Sequence, residues 1–439
     1  MQSLADLAAA ERYLESLINL EKNPEALGRR VSTAPIAALL EKIGNPQRSF
    51  SVLHIAGSKG KGSTALFSES LLRAAGKRVG TFTSPHLEHW TERFRIGGSD
   101  VDPEALVDEV ERLRPHVERQ RKESAAPLTF FDVTTALAFA LFRRFSVTHG
   151  VVEVGLGGRL DSTNVVTASV SCITSIELEH TDRLGETHEE IAGEKAGILK
   201  GPFPALLGPL LPAARDVIVA RAAVVGALVS HFGEDFGVDR SLDPAELFDG
   251  AFRVPFRTEL LGEHVHQNAA LALACVRRLP GVGFSEQQAA DALRETRLPG
   301  RLELLGEAPT LLVDSAHTAA SAKAARRVML ELPHHERWLV LSMSSGKDLR
   351  KLCEILLPGS HRVVVTRAEP HRSVAALALA REVERWLPTA SVRVVPDPEE
   401  ALAWARAQAG SRDLVCAVGS VYLAGIARRM FRETPAPAH

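Results

Sequence analysis

One stretch constrains this chain more than any other: Ala56-Gly57-Ser58-Lys59-Gly60-Lys61-Gly62-Ser63. It follows Phe50 to Ile55, a short apolar run that reads as a buried strand. After it comes Thr64 to Ala75, where Ala65, Leu66, Leu71 and Leu72 recur at helical spacing. A glycine-rich turn between strand and helix aims backbone N–H groups at an anion, and the helix N-terminus adds the positive end of its dipole. Lys61 is placed to reach terminal phosphates, and the Ser63 hydroxyl to face a magnesium ion. The spacing departs from the standard phosphate loop, since Gly57 lies three residues before Gly60 and Gly62 separates the lysine from the hydroxyl. A turn that merely joins strand to helix is the competing reading, and it leaves the lysine and the hydroxyl unexplained.

At 439 residues the chain exceeds what one core organises, so two domains are expected, or three. It is 45% hydrophobic with a formal charge of −2, which permits ordinary globular burial and argues against a general nucleic-acid binder. Cys172, Cys275, Cys353 and Cys416 are scattered through apolar runs without a C-x-x-C, and read as buried thiols of a reducing compartment. Met1 to Glu21 lacks the basic-then-apolar form of a signal peptide, and no stretch reaches transmembrane length. A cytoplasmic location is the expectation.

Strand-like runs alternate with helical patterns almost throughout, which indicates an α/β protein with largely parallel sheet. Thr129 to Arg144 reads as a helix leading into the strand Gly150–Val154, and a further strand spans Val170 to Ile176. From Gly201 to Leu260 the pattern is weak and Pro-rich, and carries no assigned chemistry. Leu298-Pro299-Gly300-Arg301 reads as a hinge between residues 1–298 and 299–439. Beyond it, strands are expected at Thr310–Asp314, Trp338–Ser342, Arg362–Thr366, Val392–Val395 and Leu414–Val418, as in a doubly wound domain. The tail from Glu433 to His439 is expected to be unstructured.

Other constellations admit two readings each. Glu153 closes an apolar strand ahead of Gly155-Leu156-Gly157-Gly158-Arg159-Leu160-Asp161, either as a ligand-facing carboxylate or as a solvated strand end. The glycines there have the wrong spacing for a dinucleotide fingerprint. His180, in Glu179-His180-Thr181-Asp182, reads as a magnesium ligand or a hydrogen-bonding core histidine. Lys195, in Glu194-Lys195-Ala196-Gly197-Ile198, looks locally like a surface charge. His264 and His266 have metal-like spacing that magnesium does not require. Asp314 and His317 follow a strand of the second domain, where an aspartate suits a ribose and a histidine a phosphate.

Together these residues resemble the folylpolyglutamate synthase/dihydrofolate synthase family of the Mur ligase group. The resemblance rests on Gly44-Asn45-Pro46-Gln47, Gly57 to Ser63, Thr83-Ser84-Pro85-His86-Leu87 with Glu92-Arg93, and the long run from Glu153 to Asn164. It continues through His180-Thr181-Asp182, Glu194 to Ile198, Pro299-Gly300-Arg301-Leu302-Glu303, Lys347-Asp348 and Gly419-Ser420-Val421-Tyr422. It implies a Mur-type P-loop ATPase domain with mostly parallel sheet, followed by a smaller Rossmann-like α/β domain. It also implies an ATP- and Mg2+-dependent ligase that adds L-glutamate to a folate or dihydropteroate carboxylate through an acyl phosphate, acting as a monomer without nucleic acid or membrane. A Mur-type ligase for another carboxylate or amino acid, and a nucleotide-binding protein without ligase activity, are the alternatives.

By the same resemblance, Gly57, Ser58, Lys59, Gly60, Lys61, Gly62 and Ser63 hold the nucleotide phosphates. Ser63, Ser84 and Glu153 share one magnesium ion, and His180 with a carbamylated Lys195 holds a second. Asn268 faces the adenine, Arg301 the phosphates, Asp314 the ribose, His317 the phosphate region and Ser420 the incoming glutamate. Four departures stand out. Ser58-Lys59 replaces the usual Thr-Asn, Asp132 a usual Glu, Val265 a usual Gln, and Thr318-Ala319 the usual Asn-Pro.

Overall fold

The computed structural model describes residues 4–19, 32–123, 127–369, 373–388 and 391–433. The chain divides into two units, Met1–Glu259 with His264–Thr296, and Leu260–Glu263 with Arg297–His439.

The first unit is built on an eight-stranded sheet in the order β4-β3-β2-β5-β1-β6-β7-β8. Its strands are β1 (Ser51–Ala56), β2 (Val79–Phe82), β3 (Phe94–Ile96), β4 (Ser99–Asp100), β5 (His149–Glu153), β6 (Val170–Ile173), β7 (Pro204–Leu207) and β8 (Leu228–His231). β1 pairs in parallel with β5 on one side and β6 on the other, which explains its near-continuous apolar sequence. β3 and β4 turn back antiparallel at one edge of the mostly parallel sheet. One core cluster packs Val52, Phe82 and Val152 against Phe139 and its helix Phe130–Arg144; another packs Ile173 and Leu207 against Ile191 and Ile218. The expected strand Val170–Ile176 ends at Ile173, because the chain leaves the sheet there to meet the glycine-rich loop.

The stretch Gly201–Leu260, unreadable by periodicity, contains β7, helix Pro212–Val225, β8 and an antiparallel three-stranded sheet. That sheet consists of β9 (Phe236–Asp239), β10 (Glu246–Asp249) and β11 (Phe252–Pro255). Strands of four residues leave little room for alternation to register.

The second unit carries a six-stranded sheet in the order β12-β13-β17-β14-β15-β16. Its strands are β12 (Glu303–Glu307), β13 (Thr310–Val313), β14 (Arg337–Leu341), β15 (Arg362–Val365), β16 (Ser391–Val394) and β17 (Leu414–Val418). The five expected strands are there within one residue at each end, all parallel. β12 is an additional antiparallel edge strand with an irregular register at Leu304/Gly306. Of the tail, residues 434–439 lie outside the described residues, and Glu433 ends helix Val421–Glu433. All four cysteines are buried free thiols. Among the described residues no helix is long and apolar enough to cross a membrane.

Candidate active site

β1 runs straight into the glycine-rich loop, and close packing dictates its glycines. A Cβ on Gly57, at φ +152°, would fall 1.8 Å from the Thr174 hydroxyl oxygen. Gly60 has φ +83°, and a Cβ there would fall 2.4 Å from Oδ1 of Asn268. Both positions therefore require glycine. The helix Lys61–Ala74 starts at once, with Gly60 as an N-cap that has no side chain to bond the first N–H groups. Those amides and the dipole end are what an anion would meet. Lys61 folds back so that its ammonium donates to the Gly57 carbonyl at 2.9 Å.

The carboxyl ends of β1, β2 and β5 lie side by side, because β5 pairs with both of the others. Glu153, the last residue of β5, is only 5% exposed. Its Oε2 accepts the Ser84 N–H at 3.1 Å and lies 3.6 Å from where a Cβ on Gly62 would stand. The strand-end carboxylate thus faces the first turn that carries Ser63, rather than ending in solvent. A carboxylate with the Ser63 and Ser84 hydroxyls is an oxygen-only donor set of the kind magnesium takes. Among the described residues no three His, Cys, Asp or Glu side chains converge on one metal position.

Lys195 lies in helix His188–Ala196, whose start is fixed by a capping box between Thr187 and Glu190. The end of that helix presses on the run Gly155–Gly158. A Cβ on Gly158 would touch the Glu194 carbonyl, and one on Gly197 would fall 2.3 Å from the Arg159 Cβ. The mutual approach buries Lys195 to 2% exposure, against the local expectation of a surface charge. Its ammonium is 3.7 Å from Oε1 of Glu179. Burial, with the Lys61 charge adding to it, lowers the Lys195 pKa to about 7 despite Glu179.

Glu179 is the site residue that motif reading overlooks. Its Oε2 pairs with the Lys59 ammonium at 3.0 Å. Burial alone would raise its pKa, but Lys59, Lys61 and Lys195 together draw it down to about 2. Its signal in the sequence is an acidic residue beside His180, visible only once Lys59 is known to face it. The extra charge of Lys59 is thereby neutralised within the protein. His180 is exposed, with φ 50°, at the start of the short helix Thr181–Leu184, so it is no core histidine. The structure brings together Gly57 to Ser63, Ser84, Glu153 and Asn268, and, through Glu179, Lys59 with Lys195.

In the second unit, Asp314 and Ser420 follow adjacent parallel strands, β13 and β17. Asp314 is buried, and its two oxygens accept the Leu302 and Ala316 N–H groups at 2.9 and 2.8 Å. Burial raises its pKa, offset in part by Arg301. Arg301 donates to the Ser315 hydroxyl, and His317 Nδ1 donates to the Ser315 carbonyl at 2.8 Å.

Three of the four departures have local explanations. Asp132 caps helix Phe130–Arg144, accepting from Thr129 N and Oγ1 at 2.9 and 2.7 Å and from the Ser162 hydroxyl at 2.8 Å. Val265 is 1% exposed, so it packs in the core on its helix's inner face. Thr318 is the N-cap of helix Ala319–Glu331 in a capping box with Ser321, a task threonine performs well without a following proline.

A phosphate-type loop at the carboxyl edge of a parallel sheet, a strand-end carboxylate beside it and a second α/β unit define a ligase of the Mur type. The profile of the Mur ligase glutamate ligase domain matches residues 300–421. The chain is 36% identical over 448 residues to the Mycobacterium tuberculosis dihydrofolate synthase/folylpolyglutamate synthase, covering 92% of this chain and 91% of that one. It therefore belongs to the folylpolyglutamate synthase/dihydrofolate synthase family. It is also 36% identical over 422 residues to a probable bifunctional folylpolyglutamate synthase/dihydropteroate synthase of Halobacterium salinarum. That match covers 93% of this chain but spans only about half (51%) of the longer relative. Among solved structures, M. tuberculosis folylpolyglutamate synthase complexed with ADP and AMPPCP superimposes with a TM-score of 0.86 at 32% identity, covering 98% of this chain and 100% of that one. A Yersinia pestis bifunctional folylpolyglutamate synthase/dihydrofolate synthase complexed with AMPPNP and Mn ion gives 0.83 at 28% identity, covering 97% and 98%.

Proposed function

We propose that this chain uses ATP to join L-glutamate to the carboxylate of a folate or of dihydropteroate. The observation that carries this reading is the meeting of the Gly57–Ser63 loop with Glu153 and Ser84 at the carboxyl ends of β1, β2 and β5. A carboxylate is a poor electrophile, so the acid first attacks the γ-phosphate of ATP, giving an acyl phosphate and ADP. The glutamate amine then attacks the acyl carbon, and phosphate leaves. Charge spreads over the transferring phosphoryl group, so the chain must position the reactants and supply cations.

Lys61 and the amides around Gly60 and Gly62 hold the β- and γ-phosphates, the lysine leaving the Gly57 carbonyl to do so. Ser63, Ser84 and Glu153 would hold one magnesium ion, and His180 with a carbamylated Lys195 a second. Magnesium, when bound, neutralises phosphate charge during transfer. Carbamylation needs a neutral amine, and the burial of Lys195 supplies it. Asn268, packed on Gly60, is the candidate for adenine contact. In the second unit Arg301, Asp314 and His317 are the candidates for nucleotide contact, and Ser420 for L-glutamate. The reading includes action as a monomer in the cytoplasm, without nucleic acid.

The test is phosphate release from ATP and magnesium with L-glutamate, offering dihydropteroate, tetrahydrofolate and a UDP-muramyl acid separately, with the product weighed by mass spectrometry. Release with either folate acid supports the reading, and the acid accepted names the activity. Silence with both folates, while the nucleotide still binds, assigns the ligase to another acid.

A further inference from the structure

The segment that leaves β6 is fastened to the glycine-rich loop residue by residue. Ser58 N donates to the Ser175 carbonyl at 2.8 Å, Lys59 N to the Ser175 hydroxyl at 2.8 Å, and Glu177 N to the Ser58 hydroxyl at 2.9 Å. The Thr174 and Ser175 hydroxyls both donate to the Lys59 carbonyl. The backbone of Lys59 is therefore held at both its N–H and its carbonyl, which fixes the direction in which its side chain leaves the loop. That side chain crosses to Glu179, and Glu179 divides its oxygens, Oε2 to Lys59 at 3.0 Å and Oε1 toward Lys195 at 3.7 Å. The side chains are 27%, 12% and 2% exposed in the order Lys59, Glu179, Lys195, so the chain of charges runs inward from the loop.

We propose that Lys59 and Glu179 are positioning residues that couple nucleotide binding at the loop to the placement of Lys195 and His180. The inference rests on the roles given above to Lys195 and His180. A carboxylate held by Lys59 cannot swing fully onto the Lys195 amine before carbamylation and is held back from the carbamate once it forms, so Lys59 sets how closely Glu179 stands to Lys195 and where the adjoining His180 stands. Phosphates that shift the loop shift Lys59, and the displacement passes to Glu179. By linkage the influence is mutual, and an acid seated near Lys195 must tighten the nucleotide by the same factor.

The experiment is calorimetric binding of a non-hydrolysable ATP analogue with magnesium to the full chain, with and without dihydropteroate or tetrahydrofolate. Native protein, Lys59→Met, Lys59→Arg, Glu179→Gln and the double variant Lys59→Met/Glu179→Gln are compared. In the native chain the acid tightens the analogue by about tenfold, within the usual range of coupling. In Lys59→Met and Glu179→Gln that factor drops below about twofold, the double variant is no worse than either single one, and Lys59→Arg recovers most of it. Native coupling in Lys59→Met, or no coupling in the native chain, overturns the proposal. So does a Lys59→Arg variant as impaired as Lys59→Met with an equal fall in melting temperature, which would mark a purely structural bond. If Lys61→Ala leaves analogue binding intact, the site assignment beneath the proposal fails, and the pair with it.

Discussion

A Cβ on Gly158 would stand 3.0 Å from the Cα of Lys195 and 2.8 Å from the Glu194 carbonyl oxygen. The glycine is thus the seat on which the end of helix His188–Ala196 rests, and it sets the depth of the lysine. Gly158→Ala must push backbone away from backbone, at about 1–3 kcal/mol of stability. Turnover should fall at least about tenfold, since small misplacements at a reacting centre are amplified. Urea denaturation and single-turnover kinetics measure the two effects; an alanine variant with native rate would detach Lys195 from the chemistry.

Lys61→Ala and Glu153→Ala should each reduce turnover by at least about 100-fold with the far-ultraviolet spectrum and melting temperature nearly unchanged. Lys61 is half-buried in the loop, and Glu153 sits at a strand end. Full activity in either variant would sink the site assignment.

Lys195 has a pKa near 7 because burial and Lys61 disfavour its ammonium. Above that pH the free amine dominates and can attack CO2; below it the ammonium cannot. The chain equilibrated with 13C-bicarbonate should show a carbamate carbonyl resonance at pH 8 that is largely lost at pH 6. Lys195→Arg should lack it at both. A pH-independent signal, or one that survives in the arginine variant, would place the carbamate elsewhere.

His54 stands in the middle of β1, fully buried, with Nε2 2.8 Å from the Thr163 hydroxyl. Burial, aided by the Lys200 charge, lowers its pKa from 6.5 to about 3. Between those values the unfolded chain binds a proton that the native chain refuses, so stability falls as pH falls from about 6.5 toward 3. His54→Gln should flatten that decline in urea titrations at pH 7 and pH 5. An equally steep decline in the variant would mean that other groups govern acid unfolding.

Buried parallel strands announced themselves, because β1, β5, β13–β15 and β17 are mostly apolar runs, and β13, β14, β15 and β17 are followed at once by Asp314, Ser342, Thr366 and Gly419. β12 did not, since Glu303-Leu304-Leu305-Gly306-Glu307 interrupts its alternation with a glycine at the irregular register. The loop pointed to phosphate chemistry from residue type and spacing, whereas Glu153 stood open between a ligand-facing carboxylate and a solvated strand end until its partners were placed. Lys195 could not, because its burial comes from glycines 37 residues earlier and two residues later in the chain, Gly158 and Gly197. Asp132 and Thr318 stood out as departures from the family pattern, and both belong to capping boxes, a role that depends on where each helix begins.

The four sequestered thiols have a practical corollary. Cys353 and Cys416 are pushed up to about 12 by burial, so almost none of either is thiolate at neutral pH. A maleimide should therefore find nothing to modify in the folded chain. Leu178, 54% exposed and flanked by Glu177 and Glu179, then becomes a natural attachment point. A dye coupled to Leu178→Cys would report on nucleotide binding in real time, without first removing any native cysteine.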